Sequence, residues 1–118
     1  VGPSSILLAL MASGMNGQQF QFLGYLPVKD AERNHAIKEL ETESRQKKST
    51  QIFIETPYRN HQMLDALCKN CKPSTRLCIA VQLSGEQEWI KTKSIAEWKK
   101  TPVSIHKSPA IFLLQATG

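Results

Sequence analysis

Residues Ile6 to Ala12 form an unbroken apolar run closed by Ser13-Gly14. A helix that is apolar on all sides demands burial all round, so the run predicts a buried helix, with Ser4 placed to cap its first turn and Gly14 to stop it. From Phe20 to Leu26 aromatic and polar residues alternate before Leu26-Pro27, which predicts a short strand ending in a loop. Asp30 then caps a helix through about Ser44, with Ile37 and Leu40 inward and Glu32, Arg33, Lys38, Glu39 and Glu41 outward. Gln51-Ile52-Phe53-Ile54-Glu55 reads as a strand. The following Thr56-Pro57 pairs an N-cap residue with the residue best tolerated at the first helical position, so the strand turns directly into a helix at Thr56.

That helix should end near Cys71, ahead of Lys72-Pro73-Ser74. Arg76 to Leu83 predicts the next strand, Ser84-Gly85 a turn, and Glu88 to Lys93 an alternating strand that pairs antiparallel with it. Ser94-Ile95-Ala96-Glu97 is a capping box opening a short helix toward Lys100. Ala110 to Leu114, preceded by Ser108-Pro109, is apolar on both faces and predicts a central strand. Five strands and about four helices, alternating in the first half and closing on a hairpin in the second, predict an α/β domain: a mixed five-stranded sheet flanked by helices. No internal repeat or low-complexity segment interrupts it.

A chain of 118 residues suits one compact domain, taken as 1–118. The run from Ile6 to Ala12 is too short to cross a bilayer and lacks a basic flank or cleavage site, so no membrane partner is expected and the reading is cytoplasmic. Entry straight into that run, with no polar segment before it, suggests that the chain starts inside a longer polypeptide. Three cysteines are an odd set, better read as reduced thiols than as a disulfide framework. Cys68 and Cys71 lack the second ligand pair that a zinc site needs and share a helical face with Leu64 and Leu67. They read as small buried hydrophobes, and no metal is expected. The net charge of +5 permits contact with nucleic acid without requiring it.

There is no phosphate loop, HExxH or GxSxG motif, and His35, His61 and His106 lie far apart, so no catalytic residue is assigned. The strongest local feature is Ile52 to Arg59, where Glu55 ends an apolar strand and Tyr58 and Arg59 open the next helix. In open α/β sheets ligands collect at the carboxyl ends of strands. Glu55 is thereby placed to meet a polar ligand group, or else simply accepts bonds from the adjacent helix amides and from Arg59 four residues on.

Three segments, in this order and at these separations, resemble the second half of the tetrapyrrole methylases. They are Gly2-Pro3-Ser4-Ser5 with the apolar helix ending Ala12-Ser13-Gly14; then Phe22-Leu23-Gly24-Tyr25-Leu26-Pro27; then Phe53-Ile54-Glu55-Thr56-Pro57-Tyr58-Arg59. The Gly-Tyr-Leu-Pro and Glu-Thr-Pro-Tyr-Arg segments look like the ribosomal RNA small subunit methyltransferase I branch, which 2'-O-methylates a cytidine. Many other tetrapyrrole methylases carry an apolar residue where Glu55 stands, whereas members of the RNA branch often carry His where this chain has Tyr58.

The resemblance implies the C-terminal domain of a two-domain enzyme with S-adenosylmethionine in the cleft between its domains. Its N-terminal domain, not in this chain, would supply the glycine-rich cofactor loop, so the chain alone should be inactive. By position, Ser4 and Ser5 correspond to residues approaching the methionine part of the cofactor, Glu55 to the end of the second strand, and Cys78 to a small residue on the following strand. Pro109, Ala110 and Ile111 correspond to the last strand, whose backbone meets the adenine. Tyr58 and Arg59 are candidate substrate residues, and Arg59 with Lys91, Lys93, Lys99, Lys100 and Lys107 is available to steer RNA phosphates. The implied partners are ribosomal RNA, the chain's own N-terminal domain and a second copy in a homodimer. Two alternatives stay open: methylation of a corrin or porphyrin ring, and a non-enzymatic module that binds RNA or protein. Leu8, Met11 and Ile111 are expected to be partly uncovered in the isolated domain and to drive self-association.

Overall fold

The structure, a computed structural model, describes residues 3–15, 17–81, 88–101, 105 and 109–117, with the side chains of residues 3–5 and 7 left aside. The expected turn at Ser84-Gly85, His106, Lys107 and the capping role of Ser4 lie outside what is described. The elements run α1 (Pro3–Ser13), β1 (Phe20–Tyr25), α2 (Asp30–Lys47), β2 (Thr50–Glu55), a 3-10 turn (Pro57–Arg59), α3 (Asn60–Asn70), β3 (Arg76–Val81), β4 (Trp89–Ser94), α4 (Ile95–Lys100) and β5 (Ala110–Gln115). The five described strands form one sheet in the order β1-β2-β5-β3-β4. β1 and β2 are parallel, as a crossover through α2 requires. β5 pairs antiparallel with both β2 and β3, and β4 pairs antiparallel with β3.

Alternation along the strands divides the core into two layers. On one face α1 places Ala9 and Leu10 over Ile52, Ile54, Cys78, Ala80, Ile111 and Leu113. On the other, α2, α3 and α4 cover Phe53, Leu77, Ile79, Val81, Ala110, Phe112 and Leu114. The central position of β5 matches its apolar character on both faces: Ala110 to Leu114 are all buried. Phe53 and Phe112 face each other across β2 and β5 with ring centroids 5.4 Å apart, stacked.

Two expectations for α2 need correction. Asp30 is not its cap. Lys29 occupies that position with no side-chain bond, and Asp30 sits in the first turn, paired with Arg33 at 2.9 Å. Nor are Arg33 and Glu41 outward: both are buried, with Ile37, Leu40 and Ser44. Positions 33, 37, 40, 41 and 44 follow one helical stripe, so position overrides residue type, and long polar side chains complete the buried face. Glu41 accepts from Lys72 N–H and from the Thr75 hydroxyl, tying α2 to the loop between α3 and β3. Ile111 is also buried, beneath α1, not partly uncovered. Leu8 and Met11 are exposed as expected, Met11 at 79%.

Two glycines are needed for backbone conformation. Gly14 (φ +72°) follows α1, and Gly24 (φ +71°) sits where the β1–β2 register slips between Phe22 and Gly24. Both lie in the left-handed region that side chains disfavour. The slip at Gly24 is a bulge, and it sets the path of Tyr25 and the loop beyond it.

Candidate functional site

The topology brings the carboxyl ends of β1, β2 and β3 to one edge of the sheet. In register, Tyr25 lies beside Ile54, Glu55 beside Ala110, and Ala110 beside Val81. Of the residues singled out from sequence, the structure therefore gathers Glu55, Pro109 and Ala110 at this edge, with Tyr58 and Arg59 on the turn that follows Glu55. Tyr25 and Val81 join them; Tyr25 stood in the Gly-Tyr-Leu-Pro segment without an assigned role, and Val81 carried no signal beyond its apolar strand.

Glu55 is 4% exposed. Its Oε1 accepts the Thr56 N–H at 2.8 Å and the Arg59 Nε–H at 3.1 Å. The carboxylate thus holds the strand-to-helix junction, and Arg59 is engaged with it, not free in solvent. Thr56 stands at the cap position, but its side chain makes no capping bond. Its Oγ1 is buried with no hydrogen-bond partner. The junction also departs from the expectation of a direct strand-to-helix turn: a 3-10 turn, closed by Arg59 N–H to Thr56 O at 3.1 Å, intervenes before α3. Tyr58 projects from that turn, 87% exposed.

The remaining residues are placed differently. Cys78 is three ladder positions in from the edge, paired with Thr92 and Leu113 on its two sides and fully buried beneath α1, and burial pushes its thiol pKa up. Ile111 shares that face, opposite the one toward which Glu55 and Ala110 point. Strand parity separates them: neighbours in sequence face opposite layers. Ser4 and Ser5 lie in the first turn of α1.

Cys71 belongs to the α3 layer of the core and Cys68 packs against it. Burial, and after it Glu41, drives the Cys71 thiol pKa far above its ordinary value. All three cysteines are free thiols. Among the described residues no three His, Cys, Asp or Glu side chains gather as metal ligands, and no helix is long and apolar enough to cross a membrane. Two clefts, of about 320 Å³ beside β1 and α2 and about 490 Å³ between α2 and α3, are lined by none of Glu55, Pro109 or Ala110.

What the edge offers is a buried carboxylate, an unpartnered hydroxyl, small residues on β5 and an exposed aromatic, a combination suited to a polar ligand with a flat ring. The same architecture occurs in the methyltransferase CobJ, with a TM-score of 0.58 at 15% identity, covering 95% of this chain and 47% of that one. It occurs also in a Thermus thermophilus uroporphyrin-III C-methyl transferase complexed with S-adenyl homocysteine, with a TM-score of 0.54 at 16% identity, covering 91% of this chain and 48% of that one. The fold is that of a tetrapyrrole methylase domain.

Within that class the sequence is similar to ribosomal RNA small subunit methyltransferase I. Identity is 31% with the Vibrio cholerae protein over 81% of this chain, 29% with that of Buchnera aphidicola over 96%, and 27% with that of Escherichia coli O157:H7 over 97%. The chain spans 32%, 39% and 40% of the lengths of those three relatives. No family model matches the chain.

Proposed function

We propose that this chain is the C-terminal domain of an S-adenosylmethionine-dependent methyltransferase that 2'-O-methylates a cytidine of small-subunit ribosomal RNA. The observation that carries the reading is the likeness along 96% of the chain to a protein named for that RNA. The sheet edge supports it. Glu55 and the unpartnered Thr56 hydroxyl fit the polar groups of the cofactor, and Pro109, Ala110 and the Ile111 backbone fit its adenine. Ser4 and Ser5, in the first turn of α1, are assigned to its methionine part. Cys78, buried on the strand beside β5, is assigned with them to the cofactor wall. Tyr58 and Arg59 lie on the substrate side, with Tyr58 free to stack on a base.

When bound, the cofactor supplies an electrophilic methyl group. The domain's own contribution is to hold it and the RNA hydroxyl in line at contact distance, because positioning supplies much of the rate enhancement for such a transfer. The other wall of the cleft comes from an N-terminal domain, so the isolated chain is inactive. The exposed Leu8 and Met11 are covered in the whole cytoplasmic protein and drive pairing of two copies when bare.

The test is to join the chain to its natural upstream region and supply labelled cofactor with small-subunit ribosomal RNA. Label at a cytidine 2'-oxygen is expected. Transfer only to a corrin or porphyrin would replace the RNA substrate, and absence of cofactor binding would leave a binding module instead of an enzyme.

A further inference from the structure

We propose that β4 and α4 form a docking strip for the sugar-phosphate backbone of single-stranded RNA, built on Lys91 and Lys93 and set by Trp89 and Trp98. The inference rests on the proposed RNA substrate and adds where the strand lies. Among the described strands β4 lies at the edge of the sheet and pairs with β3 alone. Alternation puts Trp89, Lys91 and Lys93 on one face, opposite Val81, Ile79 and Leu77 of β3, the face that α4 covers.

Trp98 of α4 is 2% exposed, and its indole N–H donates to Leu77 O at 2.9 Å, so its ring is a fixed platform. Lys93 Nζ lies 4.9 Å from the centre of that ring, and Lys91 Nζ lies 5.4 Å from the centre of Trp89, which tilts against Trp98 at 6.3 Å. Two ammonium groups are thus held over aromatic faces on one side of one strand. Residues i and i+2 of a strand stand about 7 Å apart, comparable to the step between successive phosphates of an extended nucleic-acid strand. Glu97, whose carboxylate feels the charges of Lys93 and Lys100, is turned back on Ser94 by the capping box. Ordering a flexible lysine on binding costs entropy, and a lysine already held over a ring has lost part of that freedom beforehand. Trp89 is only partly buried, so the indole beside Lys91 adds an aromatic surface that a base can meet.

A labelled, unstructured RNA oligonucleotide titrated with the chain over a salt series, followed by fluorescence anisotropy, tests the strip. The double variant Lys91→Gln/Lys93→Gln should bind at least tenfold more weakly. Its slope of log affinity against log salt should be shallower by about 1.4, since each single-strand phosphate contact contributes about 0.7. Lys91→Arg/Lys93→Arg should keep both affinity and slope, and Lys38→Gln on α2 should change neither. Parental affinity and slope in the Gln variant would overturn the strip, as would an equal loss in Lys38→Gln. Unchanged RNA binding accompanied by new self-association in sedimentation would show that the lysines only guard a sheet edge. Methyl transfer to small-subunit RNA by the longer protein, with the slope unmoved by the Gln variant, overturns the strip alone. Loss of slope in a protein that methylates no RNA overturns the proposed activity and leaves the strip.

Discussion

The Thr75 hydroxyl donates to Glu41 Oε2 at 2.6 Å across 34 residues of chain. Both side chains are buried, and the same oxygen also takes the Lys72 N–H at 2.8 Å. One carboxylate on α2 thereby closes the loop that carries the chain from α3 into β3. A buried hydrogen bond to a charged acceptor contributes about 2 kcal/mol, because removing the donor strands a desolvated charge. Thr75→Val should lower the unfolding free energy by that amount. In urea titrations the midpoint should fall with the slope unchanged, and Glu41→Gln in the Thr75→Val background should cost less than it does alone.

Gly14 and Gly24 test backbone conformation without packing. A Cβ added at either would meet nothing within 4 Å, yet both have φ near +70°. Alanine at each position should therefore destabilise by about 1 kcal/mol through conformation alone. Gly24→Ala should also alter the backbone amide shifts of Tyr25 and Leu26, since the bulge directs them. Equal stability of both variants with the parent, read by thermal melting, would count against the left-handed assignment.

The capping box of α4 makes a pH prediction. Hydrogen bonds from the Ser94 backbone and hydroxyl, with smaller help from Lys93 and Lys100, hold the Glu97 carboxyl below its ordinary value near 4.5. A carboxyl whose folded pKa is depressed contributes stability that is fully present above the unfolded value and is lost as pH falls through the folded one. The loss should therefore fall below pH 4.5, and Glu97→Gln should remove that part of the acid dependence. Urea midpoints at successive pH values, compared between parent and variant, measure it directly.

How far these features were legible depended on whether periodicity or geometry decides them. β5 declared itself central through an apolar run at Ala110 to Leu114, and the box at Ser94 to Glu97 formed as spelled, because both are local patterns. Arg33 and Glu41 were misplaced because residue type suggested solvent while their helical positions pointed inward. Asp30 missed the cap by one residue, since capping depends on the dihedral angles of Lys29, which pattern does not specify. The site was half legible: Glu55 and Ala110 belonged to different segments whose meeting depends on strand order. The burial of Cys78 and Ile111 under α1 depended on which face that helix chose.

The thiols give a reactivity order. Burial raises the pKa of all three, and most strongly that of Cys71, where Glu41 adds to the effect. Only Cys68 is partly accessible, and Lys99 partly offsets its shift. Thiolate is the reacting form, so at pH 8 iodoacetamide should label Cys68 slowly, and Cys71 and Cys78 only after unfolding. Peptide mass spectrometry resolves the three, and early labelling of Cys78 would show that α1 does not cover it.

Glu55 and Thr56 separate a structural junction from a ligand site. Gln at position 55 keeps an oxygen for the Thr56 and Arg59 N–H groups but loses the charge of a buried acceptor, so Glu55→Gln should lower stability by about 1.5 kcal/mol. The Thr56 hydroxyl is buried without a partner, and replacing an unsatisfied polar group with a methyl of similar shape is neutral or stabilising. Thr56→Val should therefore melt at or above the parent temperature. Joined to its upstream region, each variant should nevertheless bind S-adenosylmethionine about tenfold more weakly, a difference of about 1.4 kcal/mol, because the ligand supplies the partners that the folded domain leaves out. Calorimetry of cofactor binding alongside thermal melting reads both quantities. Parental affinity in both variants would make the junction purely structural and move the cofactor contacts elsewhere on the sheet edge.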